Sequence, residues 1–160
     1  MQEKNNKYLE GKLARVSQVE MTQIVLPNDT NPLGNLLGGT LMHWIDIAAA
    51  MVASRHSNMT VATVSVDNIE FKHPIKMGEL VVLKAKLIFT GTSSMVVCVK
   101  TYGENVRTGD IIEANRAYLT FVALDDNCKP TKVPRIILET DEEREAYKKA
   151  EEKRNKRLKK

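Results

Sequence analysis

Between two turn-rich stretches the chain runs LMHWIDIAAAMVASRH, a helical segment from Leu41 to His56 that is apolar on nearly every side and carries one acid, Asp46. Such a helix has no polar face to turn toward water, so it must lie inside its domain and the rest of the chain must wrap it. At 3.6 residues per turn, Leu41, Trp44, Ala48 and Met51 fall on one side, and Gly39, Met42, His43, Asp46, Ala49, Ala50 and Ala53 fall on the other. The bulky side is expected to pack within the domain. The side with Asp46 and small residues is expected to admit a second copy of the chain.

The wrapping material is legible as strands. RVSQVEMTQIVL, from Arg15 to Leu26, alternates and stops at Pro27, while TVATVSVDNIEF, LVVLKAKLIF, SMVVCVKTY and DIIEANRAYLTFVALD follow the helix. In the second of these later runs Val81, Leu83, Ala85, Leu87 and Phe89 share one face, with Lys84 and Lys86 on the other. Short connectors such as TGTSS and GENVRTG suit antiparallel neighbours. The expected fold is therefore α+β, a single domain over residues 12–136 in which an antiparallel, curved, five-stranded sheet wraps one long buried helix. Residues 137–160 read as a charged helical tail, where Thr140 and Glu143 are placed as a capping box and, from Thr140 onward, only Ala146, Tyr147, Ala150 and Leu158 are apolar. No candidate catalytic group lies in that tail.

Charge excludes more than it suggests. The net charge of +4 is concentrated in residues 141–160, where nine Lys or Arg face six Asp or Glu, so the domain itself is nearly neutral. With 5% aromatic residues and no basic stripe on the domain, nucleic acid is not an expected partner. Cys98 and Cys128 have no neighbouring ligand at zinc spacing, no apolar run reaches membrane-spanning length, and the first twenty residues are polar and charged. No metal site and no membrane association are expected, and the expected compartment is a reducing cytoplasm.

Three features converge where the loop PNDTNPLGNLLGG enters the helix. Asp46 is a carboxylate among apolar neighbours, a costly placement unless it is paired or used. Gly38 and Gly39 stand at the helix start, where free N–H groups and the positive end of the dipole suit a developing oxyanion. Asn31, in the loop, carries an amide able to orient water or a carbonyl. Asp46 lies seven residues past Gly39, roughly 10 Å along the helix, too far for one helix to serve one carbonyl with both. A two-fold partner running antiparallel would bring its own aspartate to this helix start.

DTNPLGNLLGGTLMHWID, with FKHPIKMGE and TGDIIEANRAYLTFVALD, resembles the acyl-CoA hydrolase family of the hotdog superfamily, the brain-type and short bacterial acyl-CoA thioesterases, from about Val16 to Pro134. The resemblance implies a hotdog dimer assembled into a hexamer, a trimer of dimers, that hydrolyses fatty acyl-CoA with no cofactor beyond the coenzyme A of the substrate. It places the family's catalytic asparagine and aspartate on Asn31 and Asp46, with the Gly39 N–H as oxyanion donor and the aspartate acting as base or as nucleophile. Coenzyme A is expected to meet Gly38, with Thr63 and Val64 beside pantetheine, Ser93 and Ser94 within hydrogen-bond reach, and Lys72, Lys76 and Arg135 toward its phosphates. Leu33, Leu36 and Met42 are candidates for the acyl channel. Two other readings of the fold stand beside this one: an enoyl-CoA hydratase using His43 with Asp46, and an acyl-CoA sensor without hydrolysis.

Overall fold

The structure is a computed structural model and describes residues 10–159. One antiparallel sheet has the order β2 (Val19–Ile24), β4 (Leu80–Thr90), β5 (Ser94–Glu104), β6 (Ile111–Leu124), β3 (Thr60–Phe71). The helix α2 (Gly38–Ser57) lies against one face of this sheet, and α3 (Asp141–Leu158) packs on β4. A short parallel pair, β1 (Lys12–Leu13) with β7 (Ile136–Ile137), ties the two ends of the domain together. The five strands and the buried helix are those expected from the sequence.

The first strand is shorter than its alternation suggests. Ala14–Ser17 forms a single helical turn, α1, because Ala14 and Ser17, three residues apart, are both buried and the Ser17 hydroxyl donates back to Ala14 O at 3.3 Å. Strand geometry starts only at Val19.

The seat of α2 also differs from the division expected. Leu41, Ile45, Ala48, Ala49, Val52, Ala53 and His56 are buried, a stripe at three- and four-residue spacing that packs with Val81, Leu83 and Leu87 of β4, Val97 and Val99 of β5 and Leu119 and Phe121 of β6. Ala49 and Ala53 thus face the chain's own sheet, where their small side chains let the helix sit close, and they are not offered to a partner. Met51, expected inside, is 38% exposed and with Ile47 forms an uncovered apolar flank, while Met42 is exposed on the other side of the helix, near Asp46. Of the expected partner-facing alanines only Ala50 remains partly open.

At the far end of α2, Asn58 takes a left-handed conformation and its N–H closes on Ser54 O. Lys12 Nζ donates to His56 O at 2.9 Å, placing a cation at the negative end of the dipole. His56 itself is buried, and its Nε2 donates to Pro134 O at 2.7 Å. Burial holds its imidazole below the ordinary histidine range, against the Pro134 bond and with the Lys12 charge.

Residues of the charged tail are less solvated than their composition suggests. Thr140 accepts the Glu143 N–H at 3.1 Å as expected, but the Glu143 carboxylate turns to the Glu139 N–H at 2.8 Å and to Lys86 Nζ at 2.7 Å. Tyr147 meets Phe89 with ring centroids 4.9 Å apart. Phe89 was expected on the face of Leu87, but the register shift between them turns its ring outward to α3. A charged helix is thus held on the sheet by the ion pairs of Glu143 with Lys86 and Arg157 with Asp67 and by one aromatic contact.

Candidate active site

The loop before α2 is organised around Asn31. Its Oδ1 accepts from Leu33 N at 3.0 Å and Asn35 N at 3.1 Å, while its backbone pairs with Asn35 O and Gly34 N. Gly34 has a φ of 79, which lets the turn close on Asn31 O at 2.9 Å. The carbonyl of the amide is therefore committed to the turn. Only its Nδ2 donors remain, so Asn31 can donate to a carbonyl or a water but cannot accept from one.

The Leu41 N–H closes the first turn of α2 on Leu37 O at 3.1 Å, leaving the N–H groups of Gly38, Gly39 and Thr40 ahead of it without a helical acceptor. A Cβ at Gly39 would meet nothing within 4 Å, and the residue is exposed. A Cβ at Gly38 would come 3.3 Å from the Phe71 ring, which leans over the helix start. Leu33 and Met42 are exposed beside this opening, while Leu36 packs against the core.

Asp46 sits two turns further along, half-buried at the border between the seated stripe and the open flank. Its Oδ1 accepts from Thr63 Oγ1 at 2.8 Å. Among the described residues no donor reaches Oδ2. Thr63, expected beside pantetheine, donates its hydroxyl to the Asp46 carboxylate. Two sequence features bear on this role, the separation of 17 residues and the place of Thr63 on the strand that leaves the helix, but neither singles out its hydroxyl.

The expected site residues fall into two groups. Asn31, Gly38 and Gly39 gather at the start of α2, and Lys76 stands beside the loop through the Asn35–Lys76 bridge. Lys72, at the end of β3, pairs by its N–H with Ala114 O and is exposed. The second group centres on Asp46 and Thr63. Val64, displaced by a register shift after Thr63, turns out 60% exposed, and Ser94 borders the same cavity under α3. Ser93 uses its O to accept the Ala123 N–H, and Arg135 lies close by because Val133 N donates to Thr92 O at 2.9 Å. Within one chain, Gly39 at the start of α2 and Asp46 two turns along it are not brought together.

Sequence reasoning also passed over the cations of α3. Arg154 and Arg157 line that cavity with Val64 and Ser94, although the composition of their helix marks them only as surface charge.

Comparison with known proteins agrees with this architecture. The thioesterase superfamily matches residues 33–109. An uncharacterised acyl-CoA thioester hydrolase of Bacillus subtilis is 42% identical over 134 residues, 84% of this chain and 78% of that protein. The crystal structure of an apo hexameric acyl-CoA thioesterase aligns with a TM-score of 0.90 at 35% identity, covering 94% of this chain and 96% of that one. The acyl-CoA hydrolase of Staphylococcus aureus, solved in complex with butyryl coenzyme A, coenzyme A and coenzyme A disulfide, aligns at 0.85 with 38% identity, covering 92% of this chain and 90% of that one. That enzyme has also been solved with alanine replacing an asparagine, an aspartate fifteen positions later, and a threonine seventeen beyond it. The fold is the hotdog expected from the sequence, and the chain belongs to the acyl-CoA hydrolases of the thioesterase superfamily.

Proposed function

We propose that the protein hydrolyses fatty acyl-CoA to a free acid and coenzyme A, with Asp46 as the acting carboxylate. The observation that carries this reading is the Thr63–Asp46 hydrogen bond, which fixes one carboxylate oxygen and leaves the other to act. That oxygen either takes a proton from water as the hydroxide adds to the thioester carbon, or attacks the carbon itself. In both routes negative charge develops on the carbonyl oxygen, where the Gly39 N–H and the Asn31 Nδ2 can receive it. The carbon–sulfur bond then breaks and the thiolate of coenzyme A leaves, to be protonated by solvent; on the second route the acyl group is left on Asp46 as an anhydride, which a water then cleaves to release the acid and restore the carboxylate. No group beyond water and the substrate is needed.

The spacing of these residues supports the assignment. Asn31, Asp46 and Thr63 are separated by fifteen and then seventeen positions, the separations between the three residues replaced by alanine in the Staphylococcus aureus enzyme.

The site is shared between two copies. Asp46 lies roughly 10 Å along α2 from the Gly39 donor, while the exposed Met42 beside it and the edge of β3, unpaired among the described residues, offer a second chain a place to dock. Further assembly to a hexamer follows the hexameric relative. No helix among the described residues is long and apolar enough to cross a membrane, and a cytoplasmic location completes the reading.

The activity is tested by thiol release from a panel of acyl-CoAs, acetyl to palmitoyl, with hydration of an enoyl-CoA followed in parallel. Thiol release without hydration is expected; hydration without thiol release, or tight binding with neither, would replace the assignment by a hydratase or a sensor. Sharing is tested by mixing Asn31→Ala with Asp46→Ala protein. Each is expected to be nearly inactive alone, and after reassembly activity is expected to return to about a quarter of wild type, since half of the random pairs regain one intact site of two. No recovery in confirmed mixed assemblies means that each site is built within one chain.

A further inference from the structure

The inner face of the sheet carries two polar residues near the start of α2. Asn115 of β6 and Thr101 of β5 are Cα partners, and each continues the face of apolar residues further along its strand, Ala117 and Leu119 on one and Val99 and Val97 on the other. Both are 0% exposed. Among the described residues the Thr101 hydroxyl and Asn115 Oδ1 have no hydrogen-bond partner. A buried polar atom left unpaired carries a desolvation cost that an apolar side chain would avoid, and asparagine is a poor strand former. Stability therefore does not account for Asn115, and the residue calls for another explanation.

The other end of its amide supplies one. Nδ2 donates to Glu70 O at 2.6 Å. Glu70 is where β3 rejoins β6 after the register shift that follows Asp67, so the amide fastens the strand at the point where the ladder resumes. Two residues on, Lys72 N donates to Ala114 O at 2.9 Å. These two bonds bracket Phe71, the Cα partner of Asn115. With its backbone pinned on both sides, Phe71 rests its ring on the start of α2, 3.3 Å from where a Gly38 Cβ would stand.

The segment entering α2 is held from the loop by Leu36 N, which donates to Ile75 O at 2.7 Å, and by Leu37 N, which donates to Asp29 O at 2.8 Å. Past Leu37 the first N–H groups of the helix have no helical acceptor, so their direction depends on what packs against the turn. Two glycines in succession leave that turn more freedom than any other part of α2, and the Phe71 ring at Gly38 limits it.

We propose that Asn115 is a positioning residue for the oxyanion donor. By holding Glu70 O it sets the Phe71 ring against Gly38, and the ring in turn fixes the backbone that presents the Gly39 N–H. This rests on the reading of Gly39 as oxyanion donor, and it extends the working parts of the site to β6, which carries no group of the proposed reaction.

The test is a double-mutant cycle on kcat and KM for an acyl-CoA that the wild type cleaves. Asn115→Leu keeps a branched side chain and removes the amide, while Phe71→Ala removes the ring. Each is expected to lower kcat about tenfold with KM unchanged, because a slightly displaced donor loses its hold on the transition state more than on the bound substrate. The double variant is also expected to lose about tenfold, and not about a hundredfold, since Asn115 acts through the ring. Losses that multiply overturn the proposal and leave Asn115 as a support of the fold. A rise in KM with kcat unchanged in either single variant overturns it as well, and makes Phe71 a wall for the substrate. Should Asn115→Leu not fold, Asn115→Ser, smaller and too short to hold Glu70 O, takes its place. If neither folds, Phe71→Ala decides alone, because its ring is 55% exposed and its removal leaves the core intact: a lower kcat at constant KM supports the proposal and an unchanged kcat overturns it. If the wild type releases thiol from no acyl-CoA, the activity reading fails separately, and the backbone amide signals of glycine-labelled protein then decide the positioning. Movement of the Gly38 and Gly39 signals in the Asn115 variant supports it, and signals that stay in place overturn it.

Discussion

The two long helices lie on the same sheet and are held there in opposite ways. α2 is seated by Leu41, Ile45, Ala48, Ala49, Val52 and Ala53, all buried and none polar, whereas α3 is seated by Glu143 on Lys86, Arg157 on Asp67 and Tyr147 on Phe89. Hydrophobic burial is roughly proportional to area and indifferent to orientation, so it fixes α2 firmly. An ion pair with one half-exposed partner contributes little and depends on charge, so α3 is the adjustable element. The carboxylate proposed to act, Asp46, accordingly sits on the rigid helix.

The largest expected effect separates the two seats. Ile45→Ala should cost about 2–5 kcal/mol and lower the main thermal transition, because Ile45 is 1% exposed between helix and sheet. Tyr147→Ala, at the half-buried contact of α3, should cost about 1 kcal/mol and appear mainly as faster amide exchange over 141–158. A fall in the main transition as large as that of Ile45→Ala would break the contrast and make α3 part of the core.

Acid should act on the two helices in different windows. His56, at the end of α2, has its pKa lowered by burial, so the unfolded chain binds the proton more readily and stability declines as pH falls below about 6.5. Glu143 is pushed up by burial, but the Glu139 N–H, Lys86 and the Thr140 N–H together hold it below the usual carboxylate range. Its contribution is present above about 4.3 and is lost as pH falls through its lower folded value. Amide exchange followed from pH 7 to 3 should therefore show the end of α2 weakening first and the release of α3 later. The reverse order would mean that Glu143 is not what seats α3. The smallest effect is that of salt, where raising ionic strength to 1 M should loosen α3 slightly and leave α2 unchanged.

Much of this was legible in the sequence, for reasons that follow from local chemistry. The apolar run from Leu41 to His56 required a wrapping sheet, and alternation in LVVLKAKLIF reported which residues of β4 face the core as far as Leu87. The bulge that turns Phe89 outward left no mark in that alternation, because a two-residue period continues past a register shift unchanged. The face of α2 that meets its own sheet was misassigned because a helix apolar all round carries no moment to orient it. Asn31, Gly39 and Asp46 could be picked out from residue type and position alone. Thr63 could be named but not given its role, since its bond to Asp46 depends on how the strand returns across the helix. The docking of α3 could not be found at all, because it is decided by two ion pairs and one ring contact with strands far earlier in the chain.

The most direct measurement is the kcat of Asp46→Asn for acyl-CoA, taken on protein whose thermal transition and assembly match the wild type. The amide keeps the volume and can still meet Thr63, but it removes the oxygen that acts as base or nucleophile. A fall in kcat of at least about a hundredfold is expected. Turnover near that of the wild type, in a folded and fully assembled variant, would contradict the assignment of the reaction to this carboxylate.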